Sequence, residues 1–230
     1  MSTKLKEQIA ANIETIKDEV EAMCKHADMP NPNPRLIAVS KIQPQERIIA
    51  ALEAGQRIFG ENRVQEAEER WGELKPNYEG IELHLIGSLQ TNKAANAVAL
   101  FDEIQTVDRI KLARALASEM EKQNRQLPIY VQVNTGKEEQ KGGCMVEDLE
   151  ALLAECKTLG LEIRGLMCIP PVGDDPSLHF ALLRKLGRQH GIAKLSMGMS
   201  KDYALAASMG ATDIRVGTSI FGERDYSSRA

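Results

Sequence analysis

At 230 residues the chain is long enough to bury one large core or two small ones, and no Pro/Gly/Ser-rich or low-complexity stretch divides it, so one domain over 1–230 is expected. The balance of 43% apolar to 27% charged residues is that of an ordinary soluble globule, and the 4% aromatic content offers no base-stacking or sugar-stacking surface. A net charge of -4 and a pI near 5.7 lack the basic clusters that nucleic acids and anionic membranes demand, which leaves a small molecule as the expected partner.

Residues 1–28 place Leu5, Ile9, Ile13, Ile16, Val20 and Met23 at spacings of three and four among Lys and Glu, which predicts an amphipathic helix packed on the main body. The segment lacks the apolar run of a signal peptide, and nothing approaches the length of a membrane span, so a cytoplasmic protein is expected. Cys24, Cys144, Cys156 and Cys168 form no CxxC pair, and the last three fall in or beside apolar segments. They read as reduced, packed thiols rather than metal ligands.

Beyond this helix, short runs rich in Val and Ile recur at intervals of roughly 20 to 35 residues with helix-like segments between them, the pattern of a βα repeat. The predicted strands are 36–41, 57–62, 82–88, 103–108, 128–135, 163–170, 194–200 and 213–217. Eight is the number that closes a (β/α)8 TIM barrel, and no strand is followed by the GxGxxG of an open dinucleotide-binding sheet. Asp108 and Asp175 stand as N-caps, the latter with Pro176 at the first helical position, and Gly55, Gly160, Gly191 and Gly210 stand as C-caps.

In such a barrel the residues just past the carboxyl ends of the strands converge on one pocket. They are Lys41, Asn62, Gly87-Ser88, Asp108, Asn134-Thr135, Pro170, Met199-Ser200 and Gly217-Thr218, a small, polar set with one amine. Ser200, Gly217 and Thr218 follow strands seven and eight, where this fold usually binds phosphate. Arg215 shares a strand face with Gly217 while Ile214 and Val216 share the other, so Arg215 points at whatever the phosphate carries. Together they fit a phosphorylated aldehyde held as a Schiff base, with partial burial lowering the pKa of Lys41. Taken singly, each has a plainer reading. Lys41 is then a solvated strand end, Ser200, Gly217 and Thr218 are caps and turn residues, Arg215 is a barrel-bottom ion-pair residue and His84 a hydrogen-bonded core histidine.

The strings Ala38-Val39-Ser40-Lys41, Phe59-Gly60-Glu61-Asn62, His84-Leu85-Ile86-Gly87-Ser88-Leu89-Gln90-Thr91-Asn92-Lys93, Leu195-Ser196-Met197-Gly198-Met199-Ser200 and Arg215-Val216-Gly217-Thr218-Ser219-Ile220-Phe221-Gly222 carry a further message. With Val133-Asn134, Lys141-Gly142 and Arg164-Gly165-Leu166-Met167, they make the chain resemble, over nearly its whole length, the pyridoxal 5′-phosphate (PLP) homeostasis proteins of the YggS/PROSC type. That family in turn resembles the barrel domain of alanine racemase, a fold-type III PLP barrel. The resemblance implies that Lys41 forms an aldimine with PLP, that Ser200, Gly217 and Thr218 hold its phosphate, that Asn62 lies near its ring and that Arg215 faces the pyridine nitrogen. With Met199 beside Ser200, the candidate cofactor-binding residues are Lys41, Asn62, Met199, Ser200, Arg215, Gly217 and Thr218, and none is assigned a catalytic role. An arginine partner stays protonated and leaves the ring nitrogen without a proton, so the ring is a weaker electron sink than one paired with a carboxylate. Arg63 stands where the family usually has an aromatic residue.

Three functions compete. The first is a PLP carrier or reservoir, without turnover of its own, that serves PLP-dependent apo-enzymes. The second is a PLP-dependent amino-acid racemase, which needs proton transfer on both faces of a carbon, whereas only Lys41 is obviously placed for it. The third is a phosphosugar-type barrel enzyme. The chain ends near Arg229-Ala230, too soon after its last strand for the racemase β domain, which favours the carrier and a monomer. Lys141 is either a second amine for PLP or a solvated charge, and the latter is expected.

Overall fold

A computed structural model describes residues 3–27, 33–138 and 140–223. Eight strands form one closed parallel barrel in sequence order: β1 (Arg35–Val39), β2 (Ile58–Glu61), β3 (Glu82–Leu85), β4 (Glu103–Val107), β5 (Ile129–Gln132), β6 (Ile163–Met167), β7 (Lys194–Ser196) and β8 (Asp213–Val216). The barrel closes where Arg35, Leu36, Ile37 and Ala38 pair with Asp213, Ile214, Arg215 and Val216. Between and after the strands run α2 (Gln45–Glu53), α3 (Val64–Leu74), α4 (Ala94–Leu100), α5 (Ile110–Lys122), α6 (Leu149–Thr158), α7 (Pro176–Gln189), α8 (Tyr203–Ser208) and α9 (Thr218–Phe221), and α1 (Thr3–His26) precedes the barrel. The expected (β/α)8 architecture is present. Most strands stop one to four residues short of their predicted ends, because the last residues of each apolar run leave the ladder to line the mouth of the barrel. The chain end at Arg229-Ala230 lies outside the described residues.

The apolar core lies between strands and helices, as closure requires, since outward-facing residues of parallel strands must be covered by helices. Helix α1 buries Ile9, Ile13, Ile16, Val20 and Cys24 against α2, α8 and α9. Met23, predicted for this face, is 39% exposed and Cys24 takes its place, because 100° per residue carries the buried stripe from Val20 to the fourth residue on. Asn12 donates to the Ile220 carbonyl at 2.8 Å and Tyr203 donates to Glu19, which fastens α1 across the β8 side of the barrel.

The helix ends follow the expected chemistry with one exception. Asp175 accepts from the Ser177 N–H at 2.9 Å with Pro176 in the first turn, and Gly55, Gly160, Gly191 and Gly210 all adopt positive φ. Asp108 does not cap α5. Its carboxylate takes the Arg109 guanidinium at 2.5 Å and the Gly143 N–H at 3.4 Å, so the helix begins after Arg109 without a side-chain cap.

All four cysteines are buried thiols, and among the described residues no group of His, Cys, Asp and Glu could hold a metal ion. Among the described residues no helix is long and apolar enough to cross a membrane. Burial pushes the Cys144 and Cys168 thiols up to about 12 and Cys156 to about 11. Since the thiolate is the nucleophile, a disulfide reagent at pH 8 is expected to leave these three unlabelled over minutes in the folded protein and to label them at once in denaturant.

Candidate functional site at the barrel mouth

The lumen is polar at its amino-terminal end. Glu103, one of whose oxygens lies 2.8 Å from Arg164 and 3.2 Å from Arg35, is almost fully buried, as are Asp213, Tyr130, His84 and Gln105. His84 sits among Glu82, Glu103 and Gln105 and is a core histidine, as the plainer reading of the sequence has it.

The carboxyl-terminal end opens as a pocket of about 590 Å³. Of the predicted strand-end set, Lys41, Asn62, Pro170, Met199, Ser200, Gly217 and Thr218 line it, together with Arg215. Gly87, Ser88, Asp108, Asn134 and Thr135 do not. Residues 142–144 fold back over that half of the mouth: Cys144 exchanges backbone hydrogen bonds with Gln132 and Asn134, and the Gly142 carbonyl accepts from the Gln132 side chain at 3.1 Å. The site is thus confined to the side of β1, β2, β3 and β6 to β8. Lys141 forms a 2.8 Å ion pair with Glu138 and lies outside the pocket lining.

Lys41 stands two residues past β1, at the first corner of a turn closed by the Gln43 N–H on the Ser40 carbonyl at 3.1 Å. The second corner is Ile42 at φ 61°, a conformation that β-branched residues avoid and that costs about 1–3 kcal/mol. Glu61 holds the neighbouring backbone. It is fully buried, and its Oε1 accepts from the Ser40 hydroxyl at 2.7 Å, Arg70 at 2.6 Å and the Trp71 indole at 3.1 Å. Trp71 in turn packs on Phe59 at a ring-centroid distance of 4.8 Å. This clamp joins the ends of β1 and β2, hence Lys41 to Asn62. A carboxylate in the otherwise apolar Ile58–Glu61 run was the available signal for it, and sequence reasoning passed over it.

Asn62 is placed by a close approach. A Cβ on Gly87 would lie 2.2 Å from the Asn62 carbonyl oxygen, so only glycine lets the β3 loop pass there. Gly87→Ala is expected to cost about 1–3 kcal/mol, read from the denaturant midpoint, because the two loops must separate.

On the opposite side the Met199-to-Asp202 turn is fixed by Asp202 accepting from the Met199 N–H at 2.6 Å. Its Ser200 hydroxyl accepts from the Gly217 N–H at 3.2 Å, and the Ser200 carbonyl accepts from the Ser219 hydroxyl at 3.3 Å. The loops after β7 and β8 therefore meet at the predicted anion-binding place. Gly217 is buried, Thr218 exposed, and a Cβ on Gly217 would project beside Val39 at 3.4 Å, on the pocket lining.

Arg215 faces the lumen, as the alternation along β8 predicts, with Ile214 and Val216 turned to the helices. It is 3% exposed, and it donates to the Ser196 hydroxyl at 2.6 Å and to the Cys168 carbonyl at 2.8 Å. Burial pulls its pKa below the ordinary arginine value, yet the guanidinium stays protonated. The outer wall is the Ile169-Pro170-Pro171-Val172 segment, of which the sequence analysis named only Pro170, with Val172 96% exposed. Paired prolines after an apolar run were the signal there.

Residues 8–225 match the family model of the alanine racemase N-terminal domain. The pyridoxal phosphate homeostasis protein of Escherichia coli (strain K12) is 35% identical over 231 residues, covering 96% of this chain and 99% of the relative. The structure of PipY from Synechococcus elongatus with PLP bound superposes with a TM-score of 0.80 at 38% identity, covering 94% of this chain and all of the other. Alanine racemase from Bartonella henselae shares the fold, with a TM-score of 0.73 at 18% identity over 59% of its length. By sequence and by fold, the chain belongs to the alanine racemase N-terminal-domain family and, within it, to the pyridoxal phosphate homeostasis proteins.

Proposed function

We propose that this protein binds PLP reversibly at the barrel mouth and serves PLP homeostasis, with Lys41 as the covalent tether and no turnover of its own. The observation that carries this reading is the meeting of an amine, a hydroxyl and glycine-lined anion cradle and a buried guanidinium in one pocket. The residues present fit the cofactor. Ser200, Gly217 and Thr218 offer the hydroxyls and backbone N–H that a phosphate needs, and the missing Gly217 side chain leaves it room. Among the described residues Arg215 donates to a hydroxyl and a carbonyl, so it suits a neutral acceptor such as an unprotonated ring nitrogen. Asn62 and Met199 line the same space.

PLP supplies an aldehyde that condenses reversibly with primary amines. In this protein the Ser40–Glu61 clamp holds the Lys41 backbone in place, and the half-buried setting of Lys41 keeps exchange with solvent open. Against turnover stands the setting of the other titratable groups in the pocket lining, since Asp174 and Lys201 are exposed and Asp202 is engaged by the Met199 N–H at 2.6 Å. We read the protein as a cytoplasmic monomer that returns PLP to apo-enzymes.

The test is spectroscopic. Protein incubated with PLP gains visible absorption, and borohydride fixes one cofactor on Lys41, seen by peptide mass. Colourless protein, or a label elsewhere, overturns the reading, and α-hydrogen exchange of alanine well above that of free PLP overturns the absence of turnover.

A further inference from the structure

Arg215 is tied to the far end of the barrel by a hydrogen-bonded chain whose every proton has a fixed direction. Glu103, the buried carboxylate held by Arg35 and Arg164, accepts from the Gln105 Nε2 at 2.7 Å. The Gln105 amide is therefore turned with its oxygen toward β7, because the flipped amide would set two acceptors 2.7 Å apart. That oxygen accepts from the Ser196 hydroxyl at 2.6 Å. A hydroxyl has one proton, so Ser196 must receive Arg215 as an acceptor, at 2.6 Å. Ser196 and Gln105 are both fully buried, out of reach of bulk solvent.

We infer that Gln105 and Ser196 are positioning residues that aim the Arg215 guanidinium at the ring of the bound cofactor. The inference rests on the PLP-binding reading and deepens it. The chain holds the guanidinium through neutral groups, so among the described residues no carboxylate pairs with it at contact distance and its charge is left to act on the ring. Two anchors, the Ser196 hydroxyl and the Cys168 carbonyl, orient the plane of the fork. Removing the first leaves a long side chain in a polar lumen with a single backbone restraint. Neither residue is part of the pocket lining, so uptake and orientation separate experimentally.

The experiment has two arms. In ligand-free protein, the Arg215 guanidinium hydrogens are followed by nitrogen-15 NMR. They are expected to be protected from exchange in the wild type and in Ser196→Thr, which keeps the hydroxyl, and to lose protection at least tenfold in Ser196→Ala and in Gln105→Met. In PLP-loaded protein, the pH midpoint of the colour change is followed. A nearby cation disfavours a proton on the cofactor-linked Lys41 nitrogen, so a loosened Arg215 raises the midpoint, by roughly one pH unit, in the same two variants but not in Ser196→Thr. Cofactor uptake within about fivefold of wild type is expected throughout. Unchanged protection in both variants, or an unchanged midpoint in both, overturns the positioning role. If one variant does not fold, the other breaks the same chain one link away. If the wild type takes up no PLP, the parent reading fails, while the guanidinium arm still decides whether Gln105 and Ser196 hold Arg215.

Discussion

Lys41→Ala is expected to weaken PLP binding by at least about a hundredfold, close to 2.8 kcal/mol at roughly 1.4 kcal/mol per tenfold, and to abolish the borohydride-fixed adduct at stoichiometric PLP. The two effects have different origins. The affinity loss is that of the covalent link, which converts a weakly held aldehyde into a tethered one. The adduct loss follows from position: Lys201 also borders the pocket, but it is exposed at the rim, whereas Lys41 is half-buried beside the clamp built on Glu61. Lys201→Ala should accordingly keep the adduct. Ser200→Ala removes the hydroxyl that meets Gly217 and should cost about tenfold in affinity, close to 1.4 kcal/mol, with the adduct intact. Because the Lys41 side chain belongs to no apolar cluster, its variant should unfold within about 1 kcal/mol of wild type. Titration with PLP by absorbance, borohydride trapping and denaturant unfolding measure the three quantities. An adduct that survives in Lys41→Ala overturns the tether.

The strand count and the barrel were legible because a parallel strand covered by helices must be apolar over several residues, and eight such runs stand in the chain. The inward turn of Arg215 was legible from alternation alone, since Ile214 and Val216 leave it no other face. What escaped was set by contacts distant in sequence. That Ser88, Asp108, Asn134 and Thr135 do not line the pocket depends on residues 142–144 bending back, with Gly143 at φ 115° and a Cβ there only 2.6 Å from the Asn134 nitrogen. No local pattern announces that turn. The Glu61 clamp needs Trp71 and Arg70 from the next helix, and Gln105 meets Ser196 only when strands 91 residues apart share one lumen. Buried polar residues in strands were the common signal, since a group such as Gln105 or Ser196 must find its partner inside.

Asp213 gives the largest expected effect on stability. It is fully buried at the start of β8, and its carboxylate accepts from Arg35 Nε at 2.6 Å, the Tyr130 hydroxyl at 2.8 Å and the Thr212 hydroxyl at 2.8 Å. Asp213→Ala leaves the fully buried Tyr130 phenol without its acceptor, takes from Arg35 its shortest carboxylate partner and leaves it Glu103, and leaves the Thr212 hydroxyl the Leu195 carbonyl. Breaking a buried pair in this way costs about 3–5 kcal/mol. For a chain of this size that is a fall of roughly 6–20 °C in Tm, at about 2–4 °C per kcal/mol. Asp213→Asn keeps one acceptor and the shape, and should lose about half as much. The pH dependence carries a second signature. Burial, then the Asp213 and Glu103 carboxylates, push the Tyr130 phenol above its ordinary value. A phenol raised in the folded state adds stability that is present below the unfolded value of about 10 and is lost as pH climbs past it. In Asp213→Ala one cause of the elevation is gone, so the alkaline decline in Tm, which begins near pH 10 in both, should level off at a lower pH than in wild type. The cradle and Lys41 lie at the other end of the barrel, so PLP uptake well below Tm should be unchanged. A variant that lost PLP binding while keeping its Tm would place Asp213 in the site instead of the scaffold.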